Sequence, residues 1–215
     1  MNIAIDGHAA SGKSVIAVGI AERLGVNVFG TGALYRAAAC EWEKRGLGQH
    51  NEDKMNDFVK SINFDVKFID GVQHTYINGF DYTSFLRQEK ISVLSSILSP
   101  YPQLREKLRK MQRKFAKEND CVMEGRDIGS EVLPNADYKF FITAPVEVRA
   151  ERRFKQQKGK DATFEQVLQD LKDRDYADEN REISPLKIVK DSIIINTAEK
   201  SQEESIEECM SYIKK

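Results

Sequence analysis

The sequence has few cysteines and no long apolar run. Its three cysteines, Cys40, Cys121 and Cys209, are odd in number and lack C-x-x-C spacing, which argues against a disulfide framework and a structural zinc site. We therefore expect reduced thiols. No stretch approaches the roughly 20 apolar residues of a membrane span, and the chain opens without a basic or apolar leader. These absences predict a cytoplasmic protein without a membrane partner.

An excess of charge of either sign is also missing. The 215 residues include 33 Lys and Arg against 34 Asp and Glu, a formal net charge of -1, so nothing in the bulk composition indicates a nucleic-acid partner. Hydrophobic residues make up 40% of the chain and charged residues 31%, which is typical of a folded globular protein. The length predicts a single domain.

The most informative motif lies near the start of the chain. A short apolar segment, Asn2–Asp6, leads into a glycine loop, and a helical pattern with Ile16 and Ile20 on one face follows. The loop matches G-x-x-x-x-G-K-[ST] in a strand–loop–helix context, so its backbone N–H groups and the helix N-terminus should bind the phosphates of a nucleotide. Its residues are Gly7, His8, Ala9, Ala10, Ser11, Gly12, Lys13 and Ser14. Lys13 would reach the β- and γ-phosphates, the Ser14 hydroxyl would ligate Mg²⁺, and His8 is expected to contribute only its backbone.

Strands and helices alternate along most of the chain. Five short apolar strands separated by helical patterns predict an α/β fold with a parallel sheet covered on both sides and ligands at the carboxyl ends of its strands. These strands are Asn2–Asp6, Val26–Phe29, Cys121–Met123, Tyr138–Thr143 and Ser192–Asn196. Between about 63 and 82 the apolar period changes to two, with Asp70-Gly71 and Asn78-Gly79 as turns, which predicts a small antiparallel insertion. The basic segment Phe154–Lys160, followed by a capping box at Thr163, predicts a lid.

The remaining motifs favour a small-molecule kinase among P-loop proteins. The chain lacks an N-K-x-D motif, a plausibly placed D-x-x-G switch and an apolar strand that ends in an acidic pair. It has instead Arg36, Arg126, Arg174 and Arg181 within motifs near strand ends and in the lid region, as transfer between two phosphate-bearing substrates requires. Arg174, Asp178 and Arg181 would share a face if the lid helix continues, although this spacing alone equally suits a solvated ion-pair ladder.

At these residues the sequence resembles the bacterial type of cytidylate kinase, the (d)CMP kinases of the nucleoside monophosphate kinase group. The matching stretches span nearly the whole chain in the family's order. They are Ile3–Gly7 with the P-loop, Thr31-Gly32-Ala33-Leu34-Tyr35-Arg36, Glu124-Gly125-Arg126-Asp127-Ile128-Gly129, Pro134-Asn135-Ala136-Asp137, and Asp178-Glu179-Asn180-Arg181 followed by Ser184-Pro185-Leu186.

The resemblance implies a P-loop kinase fold in one domain, 1–215. Its core would comprise 1–60, 85–153 and 176–215, with a monophosphate-binding insertion at about 61–84 and a lid at about 154–175. The implied reaction is the ATP- and Mg²⁺-dependent phosphorylation of CMP and dCMP to CDP and dCDP by a monomer.

The resemblance also implies roles for individual residues. Lys13, Arg126, Arg174 and Asp178 would be catalytic, Arg36 would hold the acceptor phosphate, and Thr31 would lie at the sugar. Ser96, Arg105 and Asp127 would read the cytosine edge, while Asp178 and Arg181 would contact the ribose and phosphate of the acceptor.

Three positions depart from the family's pattern. The chain has Gly30 where an aspartate is usual, His8 in place of a small residue or proline, and Val15 in place of threonine. The missing carboxylate at Gly30 motivates one alternative, a kinase for another monophosphate or small anionic acceptor. A second alternative is a nucleotide-binding regulatory or scaffold module without turnover, although the intact set Lys13, Ser14, Arg36, Arg126, Asp178 and Arg181 speaks against it. Arg152 and Arg153 are further candidates for contact with the donor phosphates.

Overall fold

A computed structural model describes residues 1–156 and 162–214. It divides into two compact units, Met1–Val26 with Cys121–Lys215, and Asn27–Asp120. Part of the basic segment predicted to begin the lid, residues 157–161, lies outside the described residues. None of the helices in the described residues combines the length and the apolar character needed to cross a membrane.

The described residues form eight strands and eight α-helices. In chain order they are β1 Asn2–Gly7, α1 Lys13–Leu24, β2 Asn27–Gly30, α2 Thr31–Lys44, α3 Glu52–Ser61, β3 Phe64–Ile69, β4 Val72–Ile77, β5 Phe80–Asp81, α4 Glu89–Leu98, α5 Pro102–Glu118, β6 Cys121–Glu124, β7 Tyr138–Thr143, α6 Val146–Gln156, α7 Phe164–Asn180, β8 Ile193–Asn196 and α8 Gln202–Tyr212. A short 3₁₀ helix, Thr83–Phe85, precedes α4, and a π-helix, Ile128–Val132, follows β6.

The first unit contains four parallel strands in the order β6-β1-β7-β8. Ile3 of the central strand pairs with Val122 on one side and Tyr138 on the other. Ile3 and Ile5 are both almost fully buried, as expected for a parallel strand with helices on both faces. The helix-covered parallel sheet predicted from the sequence is confirmed, and the remaining predicted strand, β2, lies in the second unit.

The second unit carries the predicted antiparallel insertion as the sheet β3-β4-β5. Both hairpins turn at the Asp-Gly and Asn-Gly pairs. Asp70 and Asn78 have φ of 51°, and the glycines that follow have φ of 76° and 82°, the left-handed conformations that a two-residue hairpin turn requires. Trp42 of α2 packs edge to face on Phe58 of α3, with ring centroids 5.1 Å apart.

Two helical details differ from the sequence expectation. Helix α3 was not predicted, although its buried residues Met55, Phe58 and Val59 follow helical spacing and Asn51 caps it by accepting a bond of 2.9 Å from the Lys54 amide. The apolar spacing from about Phe85 to Leu98 predicts a helix over that range, but α4 begins only at Glu89. Short polar helices give weak periodic signals, which explains both errors.

Candidate active site

The glycine loop has the backbone that phosphate binding requires. Gly7 has φ of 152°, and a β-carbon there would stand 2.1 Å from the carbonyl oxygen of Ile142, so no other residue fits. Gly12, with φ of 91°, is the left-handed residue that immediately precedes α1. The loop therefore ends at the N-terminus of α1. The backbone N–H groups at the N-terminus of a helix attract anions.

Lys13 is a buried cation in this structure. Its side chain is 7% exposed and its Nζ donates to the His8 carbonyl oxygen at 3.1 Å. Burial, reinforced by the positive charge of Arg126, lowers the pKa of Lys13 to about 7, although Glu124 opposes the shift. A bound anion would oppose the effect of burial and favour the charged form of Lys13.

Ser14 faces an acid that the sequence analysis did not assign. The Ser14 Oγ donates to Oε1 of Glu124 at 3.1 Å, and Glu124 is the last residue of β6. A typical ATPase has an acidic pair after an apolar strand, whereas β6 ends in a single acid. A lone carboxylate at the end of an apolar strand was thus the signal that sequence reasoning missed.

Four of the predicted residues form one ion-pair network in the first unit. Arg126 Nε donates to Asp178 Oδ2 at 2.9 Å, while Arg181 lies 3.6 Å from Asp127 Oδ1 and 3.7 Å from Asp178 Oδ1. Burial opposes ionisation of Asp178, but Arg126, Arg181 and Arg174 outweigh it and lower its pKa. All four network side chains are at most 17% exposed, unlike those of a solvated surface ladder.

The helical face expected for Arg174, Asp178 and Arg181 is only partly correct. Helix α7 ends at Asn180, and Arg181 follows it with extended φ and ψ of -64° and 139°. This change of backbone direction brings Arg181 to Asp127 as well as to Asp178. A helical spacing argument does not extend past the last helical residue.

Asp6 positions the segment that carries Arg126 and Asp127. Its carboxylate accepts from the backbone N–H of Ile128 at 2.8 Å and of Gly129 at 2.7 Å. The side chain is 6% exposed, and burial raises its pKa to about 6 despite the two hydrogen bonds. Sequence analysis gave Asp6 no role, although an acid within a buried strand is itself unusual.

A cavity of about 460 Å³ opens beside the glycine loop in the first unit. Its lining includes Lys13, Arg152, Thr197 and Lys200. Arg152 donates to the hydroxyl of Thr197 at 2.9 Å and to its carbonyl at 2.5 Å. Arg152 and Arg153 are the two candidates for contact with the donor phosphates, and Arg152 lines this cavity. The volume of the cavity suits a nucleotide-sized ligand.

Two side chains connect the glycine loop to α7. The His8 ring Nε2 lies 2.7 Å from Glu179 Oε1, so this histidine contributes more than the backbone role expected of it. Arg149, 4% exposed, donates to the Ala9 carbonyl at 3.1 Å and to Asp175 Oδ2 at 2.6 Å. Both contacts fix the loop against the helix that carries Arg174 and Asp178.

The other predicted acceptor residues lie in the second unit. Thr31 is the first residue of α2, and the Arg36 guanidinium lies beside Gly32, where a β-carbon would stand 3.4 Å from Arg36 Nη2. Arg105 is 3% exposed, lies 5.5 Å from the Tyr35 ring centroid and donates to the Ser99 carbonyl. Ser96 is an exposed residue of α4.

A phosphate-binding loop on a helix-covered parallel sheet, with clustered arginines at its edge, defines a P-loop kinase. Among solved structures, the chain is similar to an uncharacterized protein from Eubacterium ventriosum, with TM-score 0.56, 14% identity, and coverage of 99% of this chain and 98% of that one. It is also similar to shikimate kinase from Bacteroides thetaiotaomicron, with TM-score 0.50, 14% identity, and coverage of 99% and 97%. These likenesses concern the fold alone.

The family model described as Cytidylate kinase matches residues 3–215. Curated proteins named cytidylate kinase are similar over their full length. The protein of Caldicellulosiruptor bescii is 40% identical, over 100% of this chain and 96% of its own, and that of Thermotoga maritima 40%, over 99% and 96%. That of Halalkalibacterium halodurans is 38% identical, over 100% and 97%. The chain belongs to the cytidylate kinase family.

Membership in this family confirms the enzyme class predicted from the sequence. The chain is a nucleoside monophosphate kinase, a phosphotransferase with ATP as phosphoryl donor and with cytidylate as the acceptor for which the family is named.

Proposed function

We propose that the protein transfers the γ-phosphoryl group of ATP to the 5′-phosphate of CMP and dCMP, with Lys13, Arg126, Arg174 and Asp178 as catalytic groups. The observation that carries this proposal is the largely buried network of Arg126, Asp127, Asp178 and Arg181 in the unit that holds the glycine loop. Preorganised cations stabilise the charge that spreads over the oxygens of a transferring phosphoryl group.

The donor side would use the loop Gly7–Ser14 for the phosphates of ATP and the adjacent cavity for the rest of the nucleotide. Mg²⁺ fits the donors present, because the Ser14 hydroxyl and the Glu124 carboxylate are hard oxygen groups 3.1 Å apart. These two residues would hold the ion together with phosphate oxygens and water. When bound, the ion supplies neutralisation of phosphate charge.

Lys13 changes partner in this mechanism. Its Nζ donates to the His8 carbonyl oxygen of its own loop, and the β- and γ-phosphates would replace that acceptor with charged oxygens. The phosphates would also restore the pKa that burial has lowered, so that Lys13 is fully protonated when ATP is bound. The lysine then stabilises charge throughout the transfer.

The acceptor side would use the residues that the family resemblance assigns to it. Arg36 would hold the acceptor phosphate, with Thr31 at the sugar, and Asp178 and Arg181 would contact the ribose and phosphate. Ser96, Arg105 and Asp127 would read the cytosine edge, because a carboxylate or hydroxyl accepts from the N4 amino group and an arginine donates to the ring acceptors. Uracil has O4 in place of that donor, and the mismatch costs about 1–3 kcal/mol.

A coupled ADP-release assay over CMP, dCMP, UMP, AMP and GMP tests the proposed acceptor. Turnover should be fastest with the two cytidine nucleotides, and background rates with both of them would refute the proposal. A preference for another monophosphate would instead identify the alternative acceptor that Gly30 leaves open. The same panel detects a nucleotide-binding module, which would give no turnover with any of the five.

Arg126→Ala should abolish the rate while the fold is retained. Arg23→Ala is the matched control, because Arg23 of α1 bonds Gly19, Glu203 and Glu207 and should leave turnover unchanged. Equal losses in both variants would contradict a specific role for Arg126.

We further propose that the protein is a cytoplasmic monomer without a nucleic-acid partner. Light scattering on the purified chain should give a mass near 24.5 kDa, and a dimer mass would contradict this.

A further inference from the structure

Gly30 is held by a side chain from the antiparallel insertion. Its backbone N–H donates to Oε1 of Gln73 at 2.7 Å, and Nε2 of the same carboxamide lies 3.4 Å from the Gly30 carbonyl oxygen. Gln73 is half-buried in β4, 43 residues further along the chain. One side chain therefore pairs with both polar groups of a single backbone residue.

The carboxamide is itself fixed in orientation. Its Nε2 also donates to the hydroxyl of Thr75 at 3.3 Å, and Thr75 is fully buried. The Thr75 backbone accepts from the amide of Tyr82 at 2.9 Å and donates to the hydroxyl of Thr83 at 3.0 Å. Because an amide offers an acceptor and a donor on one rigid plane, Gln73 can serve as a substitute for a neighbouring strand at the end of β2.

The residue held in this way is the one that precedes the acceptor-binding helix. Gly30 has extended φ and ψ of -83° and 98° and is the N-cap of α2, but it has no side chain to cap the helix. Its conformation does not require glycine, since φ is negative. Thr31 follows directly, and the Arg36 guanidinium folds back toward Gly32. The position of Gly30 thus sets the start of α2, the helix that carries Thr31 and Arg36.

We propose that Gln73 is a positioning residue for the acceptor phosphate, and that it performs through Gly30 the anchoring that a side chain at position 30 would otherwise provide. The proposal rests on the proposed function, in which Thr31 and Arg36 bind the monophosphate. Gln73 does not touch the substrate. It acts by fixing the backbone from which these two residues project, and such fixed backbone reduces the ordering cost of binding.

Steady-state kinetics on Gln73→Met tests the proposal, because methionine has similar length and bonds neither backbone group. The KM for CMP should rise about five- to tenfold, the equivalent of one lost hydrogen bond, while the KM for ATP stays within about twofold. Gln73→Glu should also raise the KM for CMP, since a carboxylate accepts from the Gly30 amide but faces its carbonyl oxygen without a donor. A wild-type KM for CMP in Gln73→Glu would refute the inference that Gln73 must bond both the N–H and the carbonyl oxygen of Gly30.

His74→Ala is the matched control on the same strand. His74 lies next to Gln73 and pairs with Asp81 at 2.9 Å, so its removal disturbs the insertion without touching Gly30. The KM for CMP should remain at the wild-type value. An equal rise in His74→Ala, or equal rises in the KM values for CMP and ATP after Gln73→Met, would mean general damage and would overturn the proposal.

Amide hydrogen exchange provides a readout that does not depend on turnover. A peptide covering residues 27–36 should exchange faster in Gln73→Met than in the wild type or in His74→Ala, because the Gly30 amide loses its acceptor. Faster exchange with an unchanged KM for CMP would overturn the positioning role. Absent CMP turnover in the wild-type protein would refute the proposed function instead, and exchange would still show whether Gln73 holds Gly30.

Discussion

The ionisation of Asp6 should make the folded protein less stable as the pH rises. Burial raises the pKa of this carboxyl from 3.8 to about 6. Between these values the folded state keeps a proton that the unfolded state has lost, so the free energy of unfolding falls with increasing pH. Since each tenfold change in proton affinity corresponds to about 1.4 kcal/mol, the loss amounts to about 3 kcal/mol. This loss in the free energy of unfolding is absent below about pH 4 and complete above about pH 6.

Asp6→Asn isolates this effect, because asparagine does not titrate. The amide retains one acceptor for the two N–H donors of Ile128 and Gly129, and the lost contact costs about 1–3 kcal/mol at every pH. Urea unfolding followed by circular dichroism at pH values from 4 to 7 measures both contributions. Between pH 4 and pH 7 the free energy of unfolding of the wild type should fall by about 3 kcal/mol more than that of the variant. This comparison does not depend on how far the two proteins differ in stability at any single pH.

Asp191→Asn provides a control of opposite sign. A hydrogen bond from Lys139 lowers the pKa of Asp191, so this carboxylate contributes stability that is present above its ordinary pKa and lost as the pH falls. Asp191→Asn should therefore reduce the increase in the free energy of unfolding that this carboxylate contributes as the pH rises. Parallel profiles for the wild type and Asp6→Asn would show that Asp6 ionises at its ordinary pKa and would refute the reasoning.

Four further outcomes are expected. Lys13→Met should lower kcat at least about 100-fold in the ADP-release assay without lowering the melting temperature, because a buried cation with a reduced pKa is removed. Asp127→Ala should reduce the ratio of CMP to UMP turnover about tenfold or more, which Lys13→Met should not. Asp175→Ala should cost about 3–5 kcal/mol in urea unfolding, since it leaves Arg149 buried without its carboxylate. Cys209, buried with its pKa raised to about 12, should resist a thiol reagent at pH 8 until the chain is unfolded.

The features predicted correctly from the sequence depend on short-range patterns. The glycine loop is one, because its eight residues and the flanking strand and helix are contiguous. The hairpins at Asp70-Gly71 and Asn78-Gly79 are another, since the turn residues themselves specify left-handed backbone. The five apolar strands also followed from local composition. Each of these signals comes from residues that are contiguous in the chain.

Contacts between distant segments were not predicted, and the functional roles of Asp6, Glu124 and Gln73 all depend on such contacts. Asp6 holds amides 122 and 123 residues away, and Ser14 meets Glu124 across 110 residues. No periodicity links such positions. For Asp6 and Glu124 the sequence shows a lone acid at or near the end of an apolar strand, which marks each residue for attention without revealing its partner. Gln73 carries no such signal.

The pKa values of Asp6 and Lys13 depart from their ordinary values for the same reason. Burial disfavours the charged form of both residues, so neither charge stabilises the folded protein at neutral pH. For Asp6 two backbone amides offset part of the cost. For Lys13 the acids Glu124 and Asp178 oppose the shift, but burial and the positive charges of Arg126 and Arg174 outweigh them. The phosphates of ATP would add further negative charge beside this cation. Nucleotide binding should therefore take up protons above pH 7 and stabilise the fold, because the ligand completes an electrostatic arrangement that the chain alone leaves unbalanced.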